Sequence, residues 1–350
     1  MTTPPPRQRP ERPATIEDVA REAEVSLATV SRALRGLANV APATRARVEA
    51  AATALRYRPD PNASRLAAGR AHAVGVAMPL LGGWYFSQVL AGIEAALAPA
   101  GFDLLVYAAA GPEDRRRFLS DALPVRRRVD GLVLVDIHLP DADVARWAES
   151  GVHLATIGLR CDPFPSVTID NRTAAAGAVR HLLDLGHREV ALIDALEEDR
   201  FHFTVPNERR AGFDDALAER GLVARPEHLV SGRFTVDSGR SAMDDLLAGR
   251  VRPTAVFAAS DEMAIGALDS LRRHGLRAPE DVSVVGFDDH DLAEAVGLTT
   301  VRQPVVDMGG RAAALLLAEL SEGRPDGSSV VFPTELVVRA STGPPPGRRP

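Results

Sequence analysis

Apolar positions in the first stretch of the chain recur every three or four residues; from residue 73 onward they come in short continuous runs. This change of rhythm divides the sequence. Ile16, Val19, Ala20 and Ala23 fall on one face of a predicted helix. Thr15 is placed to cap it, with Asp18 three positions on as the capping-box acid. Glu24-Val25-Ser26 interrupts the pattern. Ser26 is placed to cap a second helix running through Leu34, with Val30, Ala33 and Leu34 inward, and Gly36 suits its end. Pro42 opens a third helix with Val48, Ala52 and Leu55 inward, and Tyr57-Arg58-Pro59 stops it. Residues 14–58 are thus predicted to form a small helical domain.

The later runs alternate with amphipathic helices: AVGVAM before 84–98, FDLLVYA before 113–122, GLVLVDI before 141–149, and VHLATIG with SVTID before 171–185. EVALID precedes 207–220, HLVSG precedes 236–248, TAVFAAS precedes 261–274, and VSVVGFD is followed by a late helix at 305–321. Strand–helix alternation of this kind predicts an α/β fold of parallel sheets covered by helices. The pattern alone leaves open one large sheet or two lobes. Residues 1–13 and 344–350, rich in Pro and Arg and without an apolar period, read as a disordered arm and tail.

Composition narrows the function. The chain has 350 residues, 45% hydrophobic and 25% charged, as in globular proteins with more than one domain. No apolar run has the length of a membrane span, and MTTPPPRQRPERP lacks the apolar core of a secretory signal. A single cysteine, Cys161, excludes an internal disulfide framework, so a cytoplasmic location is expected. Cys161 has no identifiable base beside it and reads as packing or loop. The net charge is -6, yet residues 1–70 hold 12 Arg against 7 Asp and Glu, and the remainder 29 Arg against 40 acids. Only the N-terminal segment suits a polyanion. No dinucleotide fingerprint, P-loop or G-x-S-x-G elbow is present, and the nine His lack metal-ligand spacing. No enzyme activity, cofactor or metal is expected.

TIEDVAREAEVSLATVSRALRG has the rhythm of a helix-turn-helix whose second helix meets base edges with its N-terminal end. Leu27, Ala28, Ser31, Arg32 and Arg35 face away from its core. Arg32 can fork onto guanine, while Leu27 and Ala28 offer apolar contact to a thymine methyl. Ser26, as the cap, lies at the same end; Thr29 and Ser31 suit phosphates, which fix register without carrying sequence information. The following YRPDPNASRLAAGR (57–70) has two prolines and then room for about two turns, too short to stand alone in water.

Taken together, TIEDVA, VSLATVSR, TRARV and YRPDPNASRL resemble the LacI/GalR family of bacterial repressors, and the resemblance runs from about Thr15 to about Arg339. It implies a lambda-repressor-like head at 14–58, a hinge at 59–70, and a periplasmic-binding-protein-like effector and dimerisation domain at 71–343. The two lobes of that domain are expected at 71–170 with 304–329 and at 171–303 with 330–343, crossing near 170, 303 and 330. Leu66 takes the place of the hinge leucine that such proteins wedge into the minor groove. Asp60 and Arg35 depart from the family's usual Asn, and Ala41 replaces a common Ser cap.

In open α/β sheets ligands lie beyond the carboxyl ends of strands. Trp84, Tyr85 and Phe86 follow the first strand, and aromatic faces stack on sugars or planar bases; Tyr85 and Phe86 match cleft positions of the family. The resemblance also places Arg209 of ERRAGF and Asp288 of VVGFDD in the cleft, ahead of Arg210 and Asp289. Ser260 and Asp261 end another strand, where Asp261 serves either a ligand or the cap of the next helix. Asp170 and Asn171 read as caps, and Phe201, His202 and Phe203 lie in a long loop within reach of a ligand. The expectation is a homodimeric regulator of palindromic operator DNA controlled by a small effector, a sugar first. A purine-type corepressor or an exported solute-binding protein is the alternative.

Overall fold

The computed structural model describes residues 14–34, 36, 39–57, 71–109, 111–120, 125, 127–195, 204–322 and 327–347. They belong to two compact units, Met1–Ala71 and His72–Pro350. In the first, α1 (Ile16–Glu22), α2 (Leu27–Leu34) and α3 (Pro42–Ala54) surround a core in which Val19, Val30 and Val48 are fully buried. Each such valine contributes roughly 1.5–3 kcal/mol of burial. The capping box forms: the Thr15 backbone N–H donates to Asp18 Oδ2 at 2.9 Å, and the Asp18 N–H donates to Thr15 Oγ1 at 3.4 Å. Ser26 Oγ accepts from the Thr29 N–H at 3.2 Å. Ala41 gives α3 no side-chain cap, and Pro42 occupies its first turn.

The second unit settles the choice between one sheet and two. Its described strands are β1 (Ala73–Met78), β2 (Asp103–Ala108), β3 (Gly131–Val135), β4 (His153–Ile157), β5 (Ser166–Ile169), β6 (Val190–Asp194), β7 (Leu229–Ser231), β8 (Ala255–Ala258), β9 (Ser283–Asp288), β10 (Thr299–Arg302), β11 (Ser329–Phe332) and β12 (Glu335–Val337). They form two sheets, ordered β11-β5-β4-β3-β1-β2 and β12-β10-β9-β8-β6-β7. All described pairings are parallel except β10 with β12. In each sheet the second strand in sequence lies at one edge and the first and third are neighbours, so the order reverses beside the first strand. Such a switch point opens a crevice at the strand ends.

The described helices are α4 (Trp84–Leu97), α5 (Pro112–Ser120), α6 (Asp141–Glu149), α7 (Asn171–Asp184), α8 (Thr204–Ala218), α9 (Val236–Ala248), α10 (Asp261–Arg273) and α11 (Val305–Glu322). α4 packs on α11 in the first lobe; α7 on α8 and α9 on α10 in the second. The α4–α11 crossing is close because Gly92 lies under the Val306 carbonyl and Gly309 under that of Val89, where a Cβ would overlap backbone. The chain passes between lobes at 170, at 303–304 and at 333–334. The last falls beyond the expected 330 because Ser329–Phe332 pairs with β5 before leaving the first sheet. α8 begins at Thr204, ahead of the expected 207, since Pro206 sits in the first turn, where its missing N–H costs no bond.

Candidate functional site: an interlobe cleft and an exposed helix face

The carboxyl ends of both sheets converge on one cleft with about 730 Å³ of empty space, part of it open to solvent. From the first lobe come Leu80, Gly82 and Gly83 after β1, Tyr85 and Phe86 from α4, Asp136 after β3, Gly158 after β4 and Ile169 at the end of β5. From the second come Val205, Pro206 and Arg209 of α8, Phe234 before α9, Ser260 after β8, Glu262 of α10 and Asp288 ending β9. Asn171 and Gln303 lie at the crossovers, and Met308 on α11. Apolar walls with a few convergent polar groups are the usual form of a small-molecule site. Asp136 and Asp288 hold their side chains there on strained backbone, with φ of 50° and 130°.

Arg209 is the hub of the polar groups. Its Nε donates to Asn171 Oδ1 at 3.0 Å, its Nη1 donates to the Ala259 carbonyl at 2.6 Å, and Nη1 lies 3.7 Å from Asp288 Oδ1. The guanidinium carbon sits 3.6 Å from the Phe287 ring centroid, a cation–π contact. Asp288 Oδ1 also accepts from Gln303 Nε2 at 2.6 Å, and Asn171 Nδ2 donates to Glu208 at 3.1 Å. Desolvation pushes Asp288 up to about 8, with Arg209 pulling the other way and Asp261 adding to the rise. Desolvation likewise pushes Asp136 up to about 7, opposed by Arg209 and by the Tyr85 hydroxyl. Burial, and then the Asp136 charge, raise Tyr85 well above its ordinary value. Burial lowers Arg209, against the pull of Asp288. Two acids of the cleft, Asp136 and Asp288, therefore hold their protons to higher pH than ordinary carboxyls do.

Of the residues expected to meet an effector, Tyr85, Phe86, Arg209, Ser260 and Asp288 line the cleft, and Trp84 and Asp261 do not. Trp84 sits one position earlier on α4; its ring lies against His290 at 5.2 Å, and its backbone N–H donates to Glu262. Asp261 is fully buried and accepts from Thr300 Oγ1 at 2.6 Å and from the His290 N–H at 2.8 Å, tying the loop after β9 to β10. Ser260 caps α10. Asp289 is held by Arg302 at 2.6 Å and Arg339 at 2.7 Å, and Arg210 by Asp214 at 2.9 Å. Asp170 caps α7 through the Thr173 N–H, which holds its carboxyl below the ordinary value. Asn171 does more than the capping expected of it, because it carries Arg209. Asp136, Gly158, Phe234, Glu262 and Gln303 were missed. Asp136 is the sixth residue of GLVLVDI and directly follows β3, so the rule that ligands lie beyond the carboxyl ends of strands covers it.

His187 bonds Thr254 Oγ1 and the Gly343 carbonyl. Cys161 is pushed up to about 11 by burial and by neighbouring acids, which leaves it a poor nucleophile. Among the described residues no group of three His, Cys, Asp or Glu could hold a metal ion, and no helix is long and apolar enough to cross a membrane.

In the first unit α2 buries Val30 and Ala33 and exposes Leu27, Ala28 and Arg32, with Leu27 47% accessible. Ser31 and Thr29 are half-buried, and the Thr29 hydroxyl lies 2.8 Å from that of exposed Ser26. Arg35, Asp60, Leu66 and Phe201–Phe203 lie outside the described residues, as do 1–13, the whole hinge at 59–70 and 348–350.

Residues 15–60 match the family described as bacterial regulatory proteins, lacI family, and residues 179–342 match a periplasmic binding protein-like domain. The chain is 36% identical over 342 residues to the HTH-type transcriptional repressor CytR of Escherichia coli (strain K12), covering 96% of this chain and 98% of the relative. It is 34% identical over 332 residues to catabolite control protein A of Priestia megaterium, covering 94% and 99%. Among solved structures it is similar to the lac repressor dimer bound to operator and the anti-inducer ONPF, with a TM-score of 0.82 and 29% identity over 95% of this chain and 100% of that one. It is also similar to the transcriptional regulator CelR–cellobiose complex, with a TM-score of 0.67 and 32% identity over 94% and 99%. The chain belongs to the lacI family of bacterial regulatory proteins and is an effector-controlled, DNA-binding transcriptional regulator.

Proposed function

We propose that this regulator is a repressor that binds a palindromic operator as a homodimer, with a sugar in the interlobe cleft as its effector. The observation that carries the DNA reading is the division of α2. Val30 and Ala33 anchor it, while Leu27, Ala28 and Arg32 stand exposed at one side, as a helix offered to the major groove requires. Ser26, Thr29 and Ser31 supply the register contacts to phosphate. For the dimer, support comes from β2, an edge strand whose Leu104, Leu105 and Tyr107 are half-buried and whose Val106 is 42% exposed. An apolar strand edge of this kind calls for a cover.

The sugar reading rests on the cleft. Tyr85, Phe86 and Phe234 offer ring faces, and Asp288, Arg209, Asn171 and Ser260 offer acceptors and donors for several hydroxyls. The CelR complex holds cellobiose, and another similar regulator, from Enterococcus faecium, holds ribose.

The test is fluorescence anisotropy on a labelled palindromic duplex and a scrambled control at 150 mM salt, with cellobiose, ribose and hypoxanthine titrated in. The expected result is a preference for the palindrome of roughly a thousandfold or more and a change in that affinity with a sugar. Release marks an inducer and tightening a corepressor. A response to hypoxanthine alone would replace the sugar reading with the purine one.

A further inference from the structure

The cleft contains a carboxyl group, one of whose oxygens the fold leaves without a hydrogen-bond partner. Asp136 is 8% exposed, and its Oδ1 is fully buried without a hydrogen-bond partner. Its other interaction is with the Tyr85 hydroxyl. A buried polar atom left unpaired costs a folded protein about 1–3 kcal/mol, so one that lines a ligand cleft points to a missing partner. The space it fills is made by a second residue. Gly158, at φ +86°, also lines the cleft, and a Cβ there would overlap Asp136 Oδ1. The bare Cα at 158 and the acid at 136 form one arrangement, at the neighbouring ends of β3 and β4.

The charge balance around it is one-sided. Asp136, Glu262 and Asp288 line the cleft, and Arg209 is the single cation among the described lining residues. Its Nε and Nη1 are already committed to Asn171, the Ala259 carbonyl and Asp288. A ligand bearing a phosphate or carboxylate would meet three carboxyl groups, with Asp136 ionised in larger part and Asp288 in smaller part at pH 7.5, and at most one uncommitted guanidinium nitrogen in a low-dielectric space. A ligand bearing hydroxyls would meet acceptors.

We propose that Asp136, seated over Gly158, is a specificity-determining residue of the cleft: its free Oδ1 accepts a hydroxyl of an uncharged polyhydroxylated effector, and the acids around Arg209 exclude sugar phosphates and sugar acids. This rests on the sugar reading above and adds the charge class of the sugar and the group that selects it. Tyr85 holds the carboxyl from one side, and Asp288 and Arg209 meet the far face of the ligand from the second lobe.

Isothermal titration of the full-length protein at pH 7.5 with cellobiose, ribose, glucose 6-phosphate and gluconate tests it, on wild type, Asp136→Asn and Gly158→Ala. Urea midpoints confirm that each variant is folded. Asp136→Asn is nearly isosteric and keeps the test open if Gly158→Ala does not fold. A neutral sugar binds wild type, and both anionic compounds bind at least about a hundredfold more weakly. Asp136→Asn weakens the neutral sugar by roughly ten- to a hundredfold, the range for a hydrogen bond to a charged group, and Gly158→Ala does the same by displacing the carboxyl. A neutral sugar that binds wild type and Asp136→Asn within threefold overturns the assignment and leaves the sugar reading standing. Glucose 6-phosphate or gluconate binding as tightly as a neutral sugar overturns the charge argument. A panel in which no sugar binds removes the sugar reading and this assignment with it.

Discussion

Replacing Asp136 by Asn in the effector-free protein should stabilise it, and more so at high pH. Burial lifts Asp136 from its ordinary 3.8 to about 7. For an acid whose pKa is raised by folding, the folded state binds the extra proton. The destabilisation is therefore absent below about pH 4, grows as pH rises toward 7, and is constant above that. Three units at about 1.36 kcal/mol each make the full cost roughly 4 kcal/mol. At pH 5 only about a third of it is expressed; at pH 8.5 all of it is. Asparagine does not titrate, so the stability gap between variant and wild type should widen by about 2–3 kcal/mol from pH 5 to pH 8.5. Asp288 and Glu208 are present in both proteins and largely cancel in the gap. Urea titrations followed by tryptophan fluorescence report on the second unit, which contains both tryptophans, Trp84 and Trp147. A gap that stays constant within about 0.5 kcal/mol, or narrows, would refute the assignment of a neutral-range proton to this cleft.

Arg209→Ala leaves the Ala259 carbonyl without its guanidinium donor and Asp288 with Gln303 alone, so it should cost about 1–3 kcal/mol; a urea midpoint unchanged from wild type would show that the pair contributes little. Gly92→Ala drives a Cβ into the Val306 carbonyl at the α4–α11 crossing and should lose about 1–3 kcal/mol, read from the same titrations. Thr15→Ala removes the capping box of α1 and should cost the small unit about 1 kcal/mol, seen as faster amide exchange over 16–22. Arg32→Ala should reduce discrimination at one operator base pair by about 1–3 kcal/mol, with binding to scrambled duplex changed far less. Equal losses on both duplexes would make Arg32 a phosphate contact.

What the sequence disclosed followed the locality of each signal. The Thr15–Asp18 box and the Ser26 cap are contacts within one turn, and they form as read. Val74 to Met78 and Val284 to Phe287 are buried on both sheet faces and read as continuous apolar runs. β10, β11 and β12 were not anticipated because they fall outside the regular strand–helix alternation, and β11 finds its partner β5 far away in sequence. Trp84 was grouped with Tyr85 and Phe86 as one aromatic cluster; successive residues on a helix point about 100° apart, so only two of the three can share the cleft. Asp261 and Asp288 look alike on paper, both acids at strand ends. What separates them is Thr300, which lies 39 positions from Asp261 and satisfies it. The pairing of Asp136 with Gly158 depends on β3 lying beside β4, which no local pattern states.

The geometry also indicates how a ligand can change the angle between the lobes. Two of the three crossovers contribute a side chain to the polar cluster: Asn171, following 170, holds Arg209, and Gln303 holds Asp288. The crossover segments are thus bonded to polar groups that line the cleft, so a turn of the lobes about them would draw on the same hydrogen bonds as recognition of a ligand there. To carry the two lobe angles from 1:99 to 99:1, an effector needs about 5.5 kcal/mol of preference for one of them. A hydrogen bond to a charged group contributes about 1.5–3 kcal/mol, so two or three that exist at only one angle are sufficient. Bonds to Asp288 and Arg209 alone cannot supply that preference, because both belong to the second lobe and move together. A ligand bonded at the same time to Asp136 of the first lobe spans the cleft, and its affinity then depends on the angle.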